Sequence, residues 1–175
     1  MKRRSTLILS VLTGAYLQAG GFGTGLQASF DLGGRSAAVP RVDFLRVTDS
    51  TAIAASGSSG QVSATNNVYS LGCDYNYFVV GDPRSRGAYL AAGVGLAKGS
   101  LGVQGSLAGG PSTRADRQQW RAFPEAGIGY LFMRHLGAEI LYKDFRFQDV
   151  GINLSGQPVN HSFDRAIEVA LFIRF

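Results

Sequence analysis

A single cysteine, Cys73, cannot pair within the chain, so no internal disulfide framework holds this fold. Two histidines, His135 and His161, offer no spacing of a zinc site, and no metal or other cofactor is expected. Charged residues fill only 17% of the 175 positions, against ~25% in ordinary soluble domains. No apolar run reaches the ~18 residues of a spanning helix; the best, residues 7–17, is broken by Ser10 and Thr13. The net charge is +5, but the only basic run is Lys2-Arg3-Arg4, so nucleic acid is not an expected partner. What the chain does have is apolar residues at 45%, too many for a disordered chain. It also carries 24 glycines, which disfavour helix interiors and so a helical bundle.

Period-two alternation runs through most of what remains. Residues 25–32 place Leu26, Ala28, Phe30 and Leu32 on one face and Gln27, Ser29 and Asp31 on the other, the mark of a strand between unlike surroundings. Residues 68–80 set Tyr69, Leu71, Cys73, Tyr75, Tyr77 and Val79 against Ser70, Gly72, Asp74 and Asn76. Segments 88–96, 122–132, 136–143 and 163–175 alternate in the same way, while 39–47 is strand-like but mixed on both faces.

In a soluble sandwich the apolar face of such strands meets another sheet; in a membrane barrel it meets lipid, and small and charged residues fill the lumen. The second arrangement fits better. The non-apolar faces mix glycine and alanine with Glu125, Glu139, Glu168, Lys143 and Arg174, as a narrow lumen requires. The segments are close to the ~9–11 residues that cross a bilayer at a tilt. Connections alternate short (33–37, 81–87, 133–135) and long (49–67, 98–119, 149–162), as in barrels with short turns on one rim and long loops on the other. Tyr69, Trp120, Tyr142 and Phe163 lie near the long-loop ends, and Tyr77, Tyr130, Phe132 and Phe175 toward the short turns, where two interfacial girdles are expected. Tyr89 points inward by parity.

The last segment, FDRAIEVALFIRF, ends on an aromatic with apolar residues at alternate positions. It resembles the C-terminal signal of bacterial outer-membrane β-barrels. The whole chain resembles the small eight-stranded OmpA-like and OmpX-like barrels. The resemblance implies an all-β, eight-stranded antiparallel up-and-down transmembrane β-barrel, one domain over residues 1–175, in the bacterial outer membrane. It implies barrel assembly machinery as a partner during biogenesis, reading Phe163, Ile167, Val169, Leu171, Ile173 and Phe175. A monomer is expected. Seven strands are visible from residue 25, and closure needs an even number. Residues 1–19 therefore have two readings. They are a signal-peptide-like segment, with a basic, an apolar and a small-residue part, or the first strand, which closure favours because an open edge in lipid costs several kcal/mol per unsatisfied backbone group.

The expected lumen charge network is Asp43, Asp74, Arg121, Glu125, Glu139, Lys143, Glu168 and Arg174, since charges in a narrow interior must pair. Arg114, Arg117, Arg146 and Arg165, in or beside the long loops, are candidate contacts for lipopolysaccharide phosphates. The glycine clusters lack the helix and Lys-Ser/Thr of a phosphate loop. His161, Ser162 and Asp164 resemble the acid-base-nucleophile set of outer-membrane lipid A deacylases, but their His and Ser are separated by one residue and here are adjacent. No catalytic residue is expected, and the chain reads as a non-enzyme with a structural or interaction role, presenting the three long loops. The alternatives are a narrow channel for small solutes and a lipid A-modifying enzyme.

Overall fold

The computed structural model describes residues 7–16, 21–55, 58–110 and 112–175. Of the segment at 1–19, residues 1–6 and 17–19 lie outside the described residues, as does the basic run at 2–4.

Among the described residues ten strands follow one another: β1 (Leu7–Tyr16), β2 (Gly21–Gly33), β3 (Ser36–Ala55), β4 (Ser58–Phe78), β5 (Gly87–Leu107), β6 (Ser112–Met133), β7 (Leu136–Asp144), β8 (Val150–Leu154), β9 (Gln157–His161) and β10 (Arg165–Arg174). Eight of them close an antiparallel barrel in the order β1-β10-β7-β6-β5-β4-β3-β2, and β8 and β9 form a separate hairpin. β1 is bonded on both sides, with Val11 opposite Leu26 on β2 and opposite Ile173 on β10.

The β2–β3, β4–β5 and β6–β7 turns lie at one rim. Gly33 and Gly34 carry the β2–β3 turn at positive φ, which their missing Cβ permits. In the β4–β5 turn Asp82 accepts from the Arg84 and Ser85 amides at 2.7 and 3.1 Å, and Arg84 reaches Asp31 of the neighbouring turn at 2.6 Å. Those amides hold the Asp82 carboxyl below its ordinary range.

The sense of the alternation is as the sequence reading has it: Leu26, Leu71, Leu90, Val94, Ile128, Ile140 and Leu171 are exposed on the outer wall. Alternate residues Gln27, Asp74, Ala91, Glu125, Glu139 and Ala170 are buried inside. Cys73 is on the outer wall as well.

Two of the three long connections are not loops. Segments 49–67 and 98–119 are mostly strand, so that β3 to β6 run 20 to 22 residues. The last described β2–β3 pair is Gly21–Val47, and β3 stays paired to β4 through Ala55. Its last eight residues carry the β3–β4 ladder about 25 Å beyond that pair. The third connection, 149–162, holds the β8–β9 hairpin, with Ile152 opposite Val159.

The reason lies in a reversal of polarity along each long strand. Below Tyr69 and Trp120 the outer face is apolar. Above them it becomes Arg46, Thr48 and Ser50 on β3, then Thr65, Ser63 and Gln61 on β4. On β5 it is Ser100 and Gln104, and on β6 Gln118, Asp116 and Arg114. The inner face of the same stretch is apolar: Val47, Val62, Ala64, Val68, Leu101 and Val103 are buried. They pack on Val150, Ile152 and Leu154 of the hairpin and on Phe123, Phe145, Phe147 and Phe163. The hairpin thus acts as a lid whose apolar face fills the open side of the projecting sheet.

Phe163 is correspondingly inside. It precedes β10, is only 8% exposed and stacks on Phe145 at 6.0 Å between centroids. The outward parity expected of it fails because the strand begins at Arg165 and the chain before it turns in to the aromatic cluster. The other signal positions hold their parity: Leu171, Ile173 and Phe175 are exposed, and Ile167 and Val169 are partly so.

Candidate functional site: a charged plug under an aromatic lid

The middle of the lumen is a plug of charge that almost every barrel strand helps to build. Arg41 of β3 is its hub, 2% exposed. Its Nε lies 3.2 Å from Asp74 Oδ2, its Nη2 donates to Glu139 and, at 2.8 Å, to Gln27 Oε1, and its Nη1 is 4.0 Å from Glu125. Lys143 of β7 is the second centre. Its Nζ donates to Asp43 at 2.7 Å and lies 2.9 Å from Glu168 and 3.7 Å from Glu125. Glu125 joins the two halves. The Tyr89 hydroxyl donates to Glu139 Oε2 at 2.9 Å, giving the inward tyrosine its partner.

Small residues make the room. A Cβ at Gly93 or Gly25 would collide with the carboxylate of Asp74 or Asp43, and one at Gly72 would stand 2.8 Å from Glu125 Oε1. Glycine is used here for close approach, not for a turn.

Of the eight expected network residues, six meet: Asp43, Asp74, Glu125, Glu139, Lys143 and Glu168. Arg174 is inside but at the turn rim, where its Nη2 donates to the Pro83 carbonyl at 2.9 Å. Arg121 shares the inward parity but stands above the plug, half-buried, two residues from Phe123 of the aromatic layer. Arg41, Gln27 and Tyr89 were not among the expected members. Arg41 is at i−2 from Asp43 and so on the same face. The apolar neighbours Val39, Leu45 and Val47 on that face hid the signal, because β3 crosses from the plug into the apolar lid layer.

The plug is sealed on both sides. Toward the turns, Phe78, Tyr89, Leu131, Leu141 and Phe172 close the lumen. The free space left there is about 20 Å³, room for roughly one water. Toward the lid, Phe145, Phe147 and Phe163 stack on one another, with centroids 5.5, 6.0 and 6.4 Å apart, and Phe145 touches Phe123 at 4.8 Å.

The loop arginines do not converge on one another. Arg114 is held by Asp116 at 2.7 Å on the outer face of β6. Arg117 donates to the Asp149 carbonyl at 3.0 Å and so ties the segment after β7 to the sheet. Beside it Gln119 and Gln148 exchange two bonds of 2.8 and 2.9 Å. Arg146 pairs with Asp144 at 2.7 Å, and Arg165 is exposed at the first residue of β10.

His161 faces Asn66 of β4, with its Nε2 at 2.9 Å from the side-chain amide nitrogen. Burial pushes the ring below its ordinary range, against Asp49 and Asp149, which raise it. The ring, bonded to the buried Asn66 side chain, ties the end of β9 to β4, and Ser162 beside it is exposed. No group of His, Cys, Asp and Glu among the described residues has the geometry of a metal centre.

A closed eight-stranded up-and-down sheet with short turns on one rim and long strands on the other gives the chain the fold of the small eight-stranded outer-membrane barrels. Neisserial surface protein A is similar over 98% of each chain at 15% identity, with a TM-score of 0.52. The N-terminal β-barrel domain of Pseudomonas aeruginosa OprF is similar over 98% of this chain and 100% of its own, at 13% identity and a TM-score of 0.51. No protein-family model matches the chain, and no curated protein matches it in sequence.

Proposed function

We propose that this chain is an outer-membrane β-barrel protein with a structural and interaction role and no catalytic one. The observation that carries this reading is the reversal of polarity on the outer wall. A belt of exposed Leu, Ile, Val and aromatic side chains gives way, at Tyr69 and Trp120, to Ser, Thr, Asn, Gln and charged residues. A continuous apolar belt is costly in water and stabilising in hydrocarbon. The polar sheet above it is then the part that stands outside the membrane and meets partners. It is ordered strand with a packed lid, which suits presentation of a fixed surface. Phe175 and the outward residues of β10 would be read by the assembly machinery during insertion, and the barrel would work as a monomer.

The filled lumen favours this reading over a solute channel. Charged plug, aromatic lid and lower aromatic layer occupy successive levels, and an eight-stranded barrel is just wide enough for side chains to fill. Purified protein inserted into planar bilayers should give no discrete single-channel steps. Regular steps abolished by a bulky residue at an inner position such as Gly72 would establish the channel instead.

A further inference from the structure

Immediately above the apolar belt, the outer wall carries a hollow of about 320 Å³, within the range of ligand sites. Four strands build it. Register places Arg46, Asn67 and Ser100 in one row, Thr65, Gly102 and Asp116 in the next, and Ser63, Gln104 and Arg114 in the third. The centre is Gly102, whose missing side chain makes the depression; a Cβ there would stand 2.6 Å from Asp116 Oδ1. Hydroxyls and amides floor it, and the Arg114–Asp116 pair walls one side with both charges already matched.

Two residues further down the same outer face lies the row Tyr69, Lys98, Trp120. Both rings are exposed, at 58% and 61%, and the Lys98 ammonium is 6.0 Å from the Trp120 ring centre. Below this row come Leu71, Leu96 and Ala122. The surface therefore passes from a polar, hydroxyl-matching hollow, through cations and amphipathic rings, to an apolar wall. A ligand complementary to all three levels carries a saccharide, a phosphate and acyl chains on one molecule.

We propose that this face is a binding site for a phosphorylated glycolipid of the surrounding leaflet. The sugar sits in the hollow against Thr65, Asn67 and Gln104, and the phosphate lies between Arg46 and Lys98. The acyl chains run down past Tyr69 and Trp120. Arginine and lysine on both sides match the phosphate. The acidic partner Asp116 accepts sugar hydroxyls while its charge stays neutralised by Arg114. This site differs from the arginine set read from the sequence, of which only Arg114 takes part. The inference rests on the membrane reading above, since a soluble chain would not meet such a ligand.

The test uses the folded full chain in detergent, titrated with purified lipopolysaccharide, with the same glycolipid after removal of its phosphates, and with phosphatidylglycerol. Unmodified lipopolysaccharide should bind about tenfold or more tighter than either of the others, as loss of charge-assisted contacts requires. Gly102→Leu, which fills the hollow, and the pair Arg46→Gln with Lys98→Gln should each remove that preference. All three positions face outward, away from the plug and lid, so heat-modifiable gel migration should remain as in the parent. Equal binding of phosphatidylglycerol, or a preference untouched by Gly102→Leu, would overturn the glycolipid site and leave the barrel reading intact. Recovery of the chain as a detergent-free soluble protein would overturn both.

Discussion

Replacing Arg41 with Met should cost the barrel about 3–5 kcal/mol, the usual penalty for removing one partner of a buried ion pair. Arg41 serves Asp74, Glu139, Glu125 and Gln27 at once. Without it Lys143 is the remaining cation within ion-pair distance of the plug carboxylates among the described residues, and it is engaged with Asp43, Glu125 and Glu168. Lysine should not rescue position 41, because a single ammonium cannot span the positions that the guanidinium fork reaches. Combining Arg41→Met with Asp74→Asn and Glu139→Gln should recover most of the loss, since the penalty lies in the stranded charges and not in the missing contact. Urea unfolding in lipid vesicles, followed by heat-modifiable migration, reads all three variants. If the single and triple variants unfold together, the plug is not held by charge matching.

Phe145→Ala should have an effect of similar size but a different location. Phe145 is fully buried among Phe123, Phe147 and Phe163, and its removal should cost about 3–5 kcal/mol in the aromatic layer. That layer holds the hairpin onto the projecting sheet, so the loss should appear first as local opening. Amide exchange of Ile152 and Val159 should quicken by about a hundredfold or more, which is what 3 kcal/mol amounts to. Exchange in β7 and β10 near Lys143 and Glu168 should change far less. A uniform rise across all strands would mean that the lid and the barrel are one cooperative unit.

Much of this fold was legible because a barrel wall separates two environments and period-two alternation records the separation directly. Residues 25–32, 68–80 and 122–132 alternate cleanly because one side meets the belt and the other meets the plug. The long strands read as loops in the sequence for a reason in the same physics. From Lys98 to Leu107 the alternation continues without a break, but the apolar partners Leu101 and Val103 move to the inner parity and Ser100 and Gln104 to the outer. Scanning for an outward apolar face finds nothing there. With parity held fixed, the point where polarity reverses marks both the strand and the boundary. The lid is less legible, because Val150, Ile152 and Leu154 make one short alternating run whose partners lie on other strands. Phe163 was displaced for a similar reason: four phenylalanines from distant positions gather inside, and parity counted back from Phe175 cannot register where the strand starts. Among the plug residues, the carboxylates stood out against glycine and alanine, whereas Arg41 stood beside valines that belong to the next layer up.

The proposed membrane boundary sets the outer wall against hydrocarbon below the level of Trp120 and against water above it. Trp120 is the chain's single tryptophan, so all indole emission reports that boundary. The protein should be folded into vesicles carrying a nitroxide either near the headgroup or near the end of the acyl chain. The shallow label should quench Trp120 several-fold more strongly than the deep one, as an interfacial ring requires. Equal absence of quenching by both labels, or stronger quenching by the deep one, would contradict a membrane boundary at Trp120.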